Sequence, residues 1–175
     1  MPTIAQIIDR FQLSPLTGEG GLFRRTYCST DLIPAEVFGR RFPEKSSKNA
    51  GSAIQYMVTP DCYSRLHVLP TDEVYHFYLG DPVQMLLIPP EGTPRTVILG
   101  QDVMRGMEVQ FVVPAGWYQG SRLVEGGSWA LLGTTMAPAY DDSDYRDADP
   151  EALIARFPEH AQEIGRLTVP AVFPD

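Results

Sequence analysis

The chain has 175 residues, 43% of them hydrophobic and 21% charged, with 22 acidic against 14 basic side chains and a formal net charge of −8. That composition is ordinary for a globular chain, and the length allows one domain with a core of its own and no need of covalent staples. The acidity, with no stripe of Lys and Arg, excludes a phosphate-tracking nucleic-acid binder. No stretch reaches the roughly 20 apolar residues of a membrane helix.

The chain opens on a short amphipathic helix over 3–13. Ile4, Ile7, Ile8 and Phe11 share one face, Thr3 with Gln6 forms a capping box, and Pro15 stops it. Asp9 and Arg10 interrupt the apolar positions, so the segment does not read as a secretory leader, and a cytoplasmic location is expected. After a loop over 14–21, a strand is predicted at 22–29. Strict alternation there puts Arg24 and Arg25 on opposite faces, so only one can point inward. Residues 30–50 read as a polar excursion. Cys28 and Cys62 form no CxxC pair and read as free thiols.

From 51 to about 138 the pattern is all-β. Short runs at 52–59, 64–69, 73–79, 83–88, 95–99, 108–113, 121–124 and 128–135 alternate with Pro/Gly/Asp turns, which predicts a sandwich, jelly roll or barrel. An acidic connection at 141–149 follows, then two short helices broken near Pro158, the first capped by Asp149 with Pro150 behind it. The expected layout is one domain over 1–175: helix and arm to residue 50, barrel core over 51–138, connection and helices over 139–175.

The most informative stretch is RLHVLPTDEVYHFYLG, which holds two of the three histidines, His67 and His76; the third, His160, reads as a surface residue. Arg65 and His67 precede Glu73, and Gly80 follows Glu73 by seven positions; further on, Gly106 precedes the Pro114-Ala115-Gly116-Trp117-Tyr118-Gln119 turn. This pattern resembles the two motifs of the cupin superfamily. GEGGLFRRTY, DEVYHFYLGDP, VVPAGWYQG and PEHAQEI together resemble the cupin-5 (DUF985) group over nearly the whole chain. The resemblance implies a double-stranded β-helix, the jelly-roll barrel of the cupins. It also implies a likeness in shape to dTDP-sugar epimerases, and a homodimer.

Metal-binding cupins usually offer three His and one Glu. Arg65 stands here at the first His position and Gln119 at the last, which leaves His67, Glu73 and an amide. That is a poor site for zinc or iron, and a nearby guanidinium repels a cation. No cofactor is therefore expected, while a divalent metal on His67, Glu73, Gln119 or His76 stays an open alternative. Strand alternation aims His76 away from Glu73 unless a bulge resets the register.

Without a metal, His67 is the natural general base and Glu73 its polarising partner. Arg24 and Arg65 could clamp an anionic group. Tyr75 and Trp117 could stack on a ring, and Gln119 could add an amide contact. The Gly-Glu-Gly-Gly run lacks the Lys-Ser/Thr of a phosphate loop. Three readings stand: a metal-independent isomerase or epimerase of a carbohydrate-like or anionic metabolite, a binding protein for a sugar or nucleotide-like ligand, and a metal-dependent lyase or oxygenase. All three take a small-molecule ligand.

Overall fold

In the computed structural model, residues 2–44, 46–170 and 172–173 are described. Helix α1 spans Ile4–Phe11. Thr3 caps it as predicted: its hydroxyl accepts from the Gln6 amide, and the Gln6 side chain accepts from the Thr3 amide. The helix stops before Pro15, because Gln12 adopts a left-handed conformation (φ 52°) that closes the last turn.

The strands are β1 (Ser14–Pro15), β2 (Leu22–Cys28), β3 (Leu32–Pro34), β4 (Ser47–Asn49), β5 (Ser52–Val58), β6 (Ser64–Val68), β7 (Glu73–Gly80), β8 (Val83–Ile88), β9 (Arg95–Leu99), β10 (Gln110–Val113), β11 (Tyr118–Leu123), β12 (Ala130–Met136) and β13 (Arg146–Asp147). Helices α2 (Pro150–Arg156) and α3 (Ala161–Arg166) close the chain. Two antiparallel sheets face each other, one in the order β1-β2-β5-β12-β7-β10 and the other β13-β6-β11-β8-β9. This is the predicted cupin barrel. The 30–50 excursion contains the β3–β4 hairpin and a 3-10 stretch over Ala35–Arg41.

Alternation decides what fills the interior. On β7 the buried positions are Glu73, Tyr75 and Phe77, while Val74 and His76 are only half-buried. Tyr56, Val58, Tyr75, Phe77, Ala130 and Leu132 from one sheet meet Val83, Met85, Leu87 and Leu123 from the other. The opposite faces are also covered. Ile7 of α1 packs on Leu22, Met57 and Leu131. Leu153, Phe157 and Ile164 pack on Leu66, Leu86 and Ile88. Gly80, the motif glycine, ends β7 at φ 98°, where a Cβ would lie 2.3 Å from the Trp129 carbonyl oxygen. Only glycine allows the next hairpin to approach so closely.

The interior is not apolar throughout. Ser64, His67, Gln119 and Ser121 from one sheet, with Ser52, Glu73 and Thr134 from the other, are all buried polar groups. Burying so many polar side chains is costly unless they bond one another or a ligand. The functional site is sought among them.

Candidate functional site

His67 is fully buried. Its Nδ1 lies 2.7 Å from the Arg65 carbonyl oxygen. A carbonyl can only accept, so Nδ1 carries the proton and Nε2 presents its lone pair. The Gln119 amide nitrogen sits 3.4 Å from that lone pair and 2.6 Å from Glu73 Oε2. The chain is therefore directional: His67 donates to the backbone, and Gln119 donates both to His67 and to the Glu73 carboxylate. β11 and β6 bring these groups together, with Gln119 directly opposite His67 in the register. The ring of Tyr145 stacks on His67 at 5.0 Å and 25°. His67 is thus enclosed on both sides.

A cavity of about 450 Å³ opens beside this chain, and Glu73 is the member that lines it. The fully buried Tyr56 and Tyr75 line it too, as does a second, half-buried carboxyl, Glu19. Leu16, Phe23, Ile54, Leu69 and Met136 share the walls with Gln12, Ser14, Ser52, Thr134 and Tyr140, and the exposed Arg24, Arg25 and Asp142 complete the lining. Both arginines belong to the lining although their pairing with Gln55 and Ile54 is regular; the slip in β2 comes after them, between Arg25 and Tyr27.

Glu19 comes from the Gly-Glu-Gly-Gly loop and is held there by β6. The fully buried Ser64 hydroxyl donates to Glu19 Oε1 at 3.1 Å, the Arg65 amide donates to the Glu19 carbonyl at 2.8 Å, and Arg65 Nη1 donates to the Gly18 carbonyl at 2.7 Å. The Tyr56 hydroxyl donates to the Gly20 carbonyl at 2.8 Å. Gly21 completes the approach: at φ 75°, a Cβ there would lie 2.1 Å from the Tyr56 oxygen.

Burial sets the protonation of the cluster. Desolvation raises the Glu19 pKa to about 7, against a smaller opposing effect of the Ser64 hydrogen bond. Desolvation and then the charge of Glu19 raise Glu73, while His67 and hydrogen bonds from Thr134 and Gln119 pull the other way. Two acids in one low-dielectric pocket do not both ionise readily. Glu73 has the larger set of partners for its anion, with hydrogen bonds from Thr134 and Gln119 against the single Ser64 hydroxyl at Glu19. Desolvation lowers the His67 pKa, which keeps the imidazole neutral. Tyr56 and Tyr75 are pushed well above their ordinary range, chiefly by burial, and stay protonated.

Of the residues proposed from sequence, Glu73, Tyr75 and Arg24 line the cavity, and His67 and Gln119 lie directly behind Glu73. Three lie elsewhere. Arg65 turns to Gly18 and to Asp147, 3.1 Å from its Oδ1, because β6 carries a bulge opposite Gln119 and Ser121. Trp117 lies against the Arg95 guanidinium, 5.0 Å from the ring centre. His76 faces the other side of its sheet, 3.2 Å from both Thr135 Oγ1 and Gln110 Nε2, with no bulge at Val74–Tyr75 to turn it inward. Glu19 was not singled out by sequence reasoning; an acid flanked by three glycines just before the first long strand was its one local signal.

A jelly-roll barrel with a polar pocket at one end defines a cupin. The chain matches the family described as "Cupin superfamily (DUF985)" over residues 5–148 and belongs to it. It is 26% identical over 173 residues to the uncharacterized protein YML079W of Saccharomyces cerevisiae, covering 94% of this chain and 86% of that one. A hypothetical protein from Leishmania major superimposes with a TM-score of 0.84 at 26% identity, covering 97% of this chain and all of that one. Protein SO0799 from Shewanella oneidensis gives 0.82 at 28% identity, with 97% and 99% covered. Oxalate decarboxylase from Bacillus subtilis shares the fold alone, at 12% identity and a TM-score of 0.53 over 40% of its length.

Cupins commonly hold a divalent metal at this end of the barrel. The residues present here do not fit one. The Gln119 amide hydrogens point at the His67 lone pair and at Glu73, the two groups a metal would need. Among the described residues no three His, Cys, Asp or Glu side chains converge as a ligand set.

Proposed function

We propose that the protein is a small-molecule-binding cupin that acts as a metal-independent isomerase or epimerase on an anionic, carbohydrate-like or related metabolite. The observation that carries this reading is the pair of carboxyls, Glu19 and Glu73, that line one cavity, where burial raises the pKa of both and two like charges are costly together. Glu73 takes a proton from a carbon next to a carbonyl. The C–H electron pair becomes the C=C bond of an enolate, and the carbonyl oxygen receives the charge, which Glu19 meets with its proton. Return of a proton from water to the opposite face gives an epimer. Where the deprotonated carbon bears a hydroxyl, the intermediate is an enediol: its O–H proton passes to the Glu19 carboxylate, the Glu73 proton goes to the former carbonyl carbon, and an isomer forms with both acids restored. His67 then acts through Gln119 as a positioning residue for Glu73. Its lone pair is directed at the amide rather than at a substrate, so the role of base passes from His67, where the sequence put it, to Glu73.

The test is hydrogen exchange. The protein is incubated in heavy water with a panel of keto acids and sugar acids, and loss of carbon-bound hydrogen is followed by NMR. Exchange should vanish in Glu73→Gln and be reduced in His67→Ala. Retention of exchange by Glu73→Gln would overturn the assignment. A second reading, binding without turnover, is favoured by the 2.6 Å Gln119–Glu73 bond, which stabilises the carboxylate and weakens it as a base. Calorimetric binding with no exchange would select it. The same proposal takes the protein as a homodimer, since β10 leaves a free edge on the larger sheet; light scattering at micromolar concentration measures that.

A further inference from the structure

His67 is flanked by a strand on each side. Asp147 of β13 pairs with it in the register on one side, and Gln119 of β11 on the other. Partners directly opposite in an antiparallel pair share a face, so Asp147, His67 and Gln119 form one row across the smaller sheet. Tyr145 lies on the imidazole, ring on ring at 5.0 Å and 25°. Its hydroxyl donates to Asp147 Oδ1 at 2.9 Å, and Arg65 Nη2 reaches the same oxygen at 3.1 Å. The Arg65 carbonyl in turn accepts the Nδ1 proton of His67 at 2.7 Å. Tyr145, Asp147, Arg65 and His67 thus close a circuit of contacts around one buried imidazole.

The backbone leaves Tyr145 little freedom. Asp144 before it is held in the buried ion pair with Lys48, and Arg146 and Asp147 after it pair with Val68 and His67. A second pocket, of about 400 Å³, is lined by Tyr145 together with Glu19, Tyr140 and Asp142. Those last three also line the first cavity, so the two openings share a wall, while His67 lines neither. Resting on the reading that His67 positions Glu73 through Gln119, we propose that Tyr145 is a further positioning residue: its ring seals the imidazole from the second pocket and holds it with Nε2 on the Gln119 amide. Water admitted at that point would compete for both ring nitrogens, with the Arg65 carbonyl at one and the Gln119 amide at the other. The tyrosine keeps water out without competing itself, because its hydroxyl is engaged by Asp147 and it offers the imidazole only a ring face. Glu19 stays open to both pockets, so solvent reaches the acid without wetting the group behind the base.

Nitrogen-15 NMR on the intact, histidine-labelled protein tests this with no substrate. The chain has three histidines, and His67→Ala assigns the signals of interest. The parent should show cross-peaks between the Tyr145 and His67 rings, the proton on Nδ1, and slow exchange of that proton with water. Tyr145→Ala should speed the exchange at least about tenfold, as protection is lost locally. Tyr145→Thr keeps a β-branched residue just before β13 and serves if the alanine variant does not fold; it should speed exchange likewise. Tyr145→Phe retains the ring and should keep the parent's slow exchange. A tyrosine that only packed the 141–149 connection would change urea stability and leave the imidazole signals alone. Parent-like protection in the folded Ala or Thr variant, equal loss of protection in Tyr145→Phe, or an Nε2–H tautomer in the parent would each overturn the inference. The two proposals fail separately. If the imidazole responds as described while Glu73→Gln retains hydrogen exchange, Tyr145 keeps its hold on His67 and the proton-transfer reading is removed. An unresponsive imidazole with exchange abolished by Glu73→Gln does the reverse.

Discussion

Replacing Glu19 with Gln should stabilise the protein at neutral pH and not at acid pH. Folding raises the Glu19 pKa from its ordinary 4.5 to about 7. Between those values the folded state binds a proton that the unfolded chain has already released. Stability therefore falls as pH rises through that window and levels off above it. Each pH unit of the interval is worth about 1.4 kcal/mol, so the full cost of holding this carboxyl in the barrel is about 3 kcal/mol. That figure is a ceiling, because part of Glu19 faces the cavity and keeps some hydration there. Glutamine keeps an oxygen for the Ser64 hydroxyl and never ionises, so the variant avoids the cost. Urea denaturation followed by tryptophan fluorescence at several pH values measures the difference. The variant should match the parent below pH 4.5 and exceed it by up to about 3 kcal/mol above neutrality. A difference that stays constant across the range would refute the argument that burial, rather than some other contact, sets this group. The same substitution should abolish hydrogen exchange, since stability lost at a functional site is recovered when the site is removed.

Arg65→Met should cost little stability, because its ion pair with Asp147 is partly exposed. It should lower exchange by about tenfold, the scale of a loosened acid–base group, and it should shift the pH–rate profile as Glu19 loosens, with Arg65→Lys restoring part of both; an unmoved profile would show that Arg65 does not position the acid. Gln119→His replaces the amide with an imidazole beside His67 and Glu73. This variant should bind cobalt(II) with visible absorption bands that the parent lacks, and identical bands in the parent would contradict the fit argument. Lys48→Met removes the cation from a buried pair with Asp144. It should cost about 3 kcal/mol in urea denaturation, and Asp144→Asn added to it should recover much of the loss, because the damage comes from the stranded carboxylate. Thiol titration should find Cys28 reactive in the native state. Cys62, whose burial pushes its pKa up to about 11, should react only after unfolding.

The barrel was legible because short alternating runs separated by Pro and Gly specify strand after strand, and Gly80 and the Pro114–Gly116 turn fall where the cupin pattern wants them. The boundaries that went astray bear on the site. β11 begins at Tyr118, three residues before the predicted run at 121, and this is what puts Gln119 in register with His67. Alternation correctly aimed Glu73 and Tyr75 inward and His76 outward. It failed for Arg65, since the bulge in β6 depends on which strand pairs beside it and leaves no local mark in the sequence. Glu19 was hidden for a different reason. It sits in a loop, and only the distant partners Ser64, Arg65 and Tyr56 make it part of the site.

Arg65 and Gln119 make sense as a pair of exchanges rather than as two losses. In a metal-binding cupin both positions would carry imidazoles aimed at one ion. Here the bulge in β6 turns Arg65 out to the Gly18 carbonyl, and its backbone amide takes the Glu19 carbonyl, so the strand delivers a carboxyl to the cavity. Gln119 stays inside, but as a donor, and a donor placed between His67 and Glu73 stabilises an anion where a metal cupin stabilises a cation. Each change alone would be damaging. An inward arginine beside a metal would repel it, and a glutamine without Glu19 nearby would leave a lone buried carboxylate with no acid to work against. On the proposed reading, the end of the barrel that holds a Lewis acid in a metal cupin holds a proton here, with Glu19 as its carrier and Glu73 as the base that exchanges it.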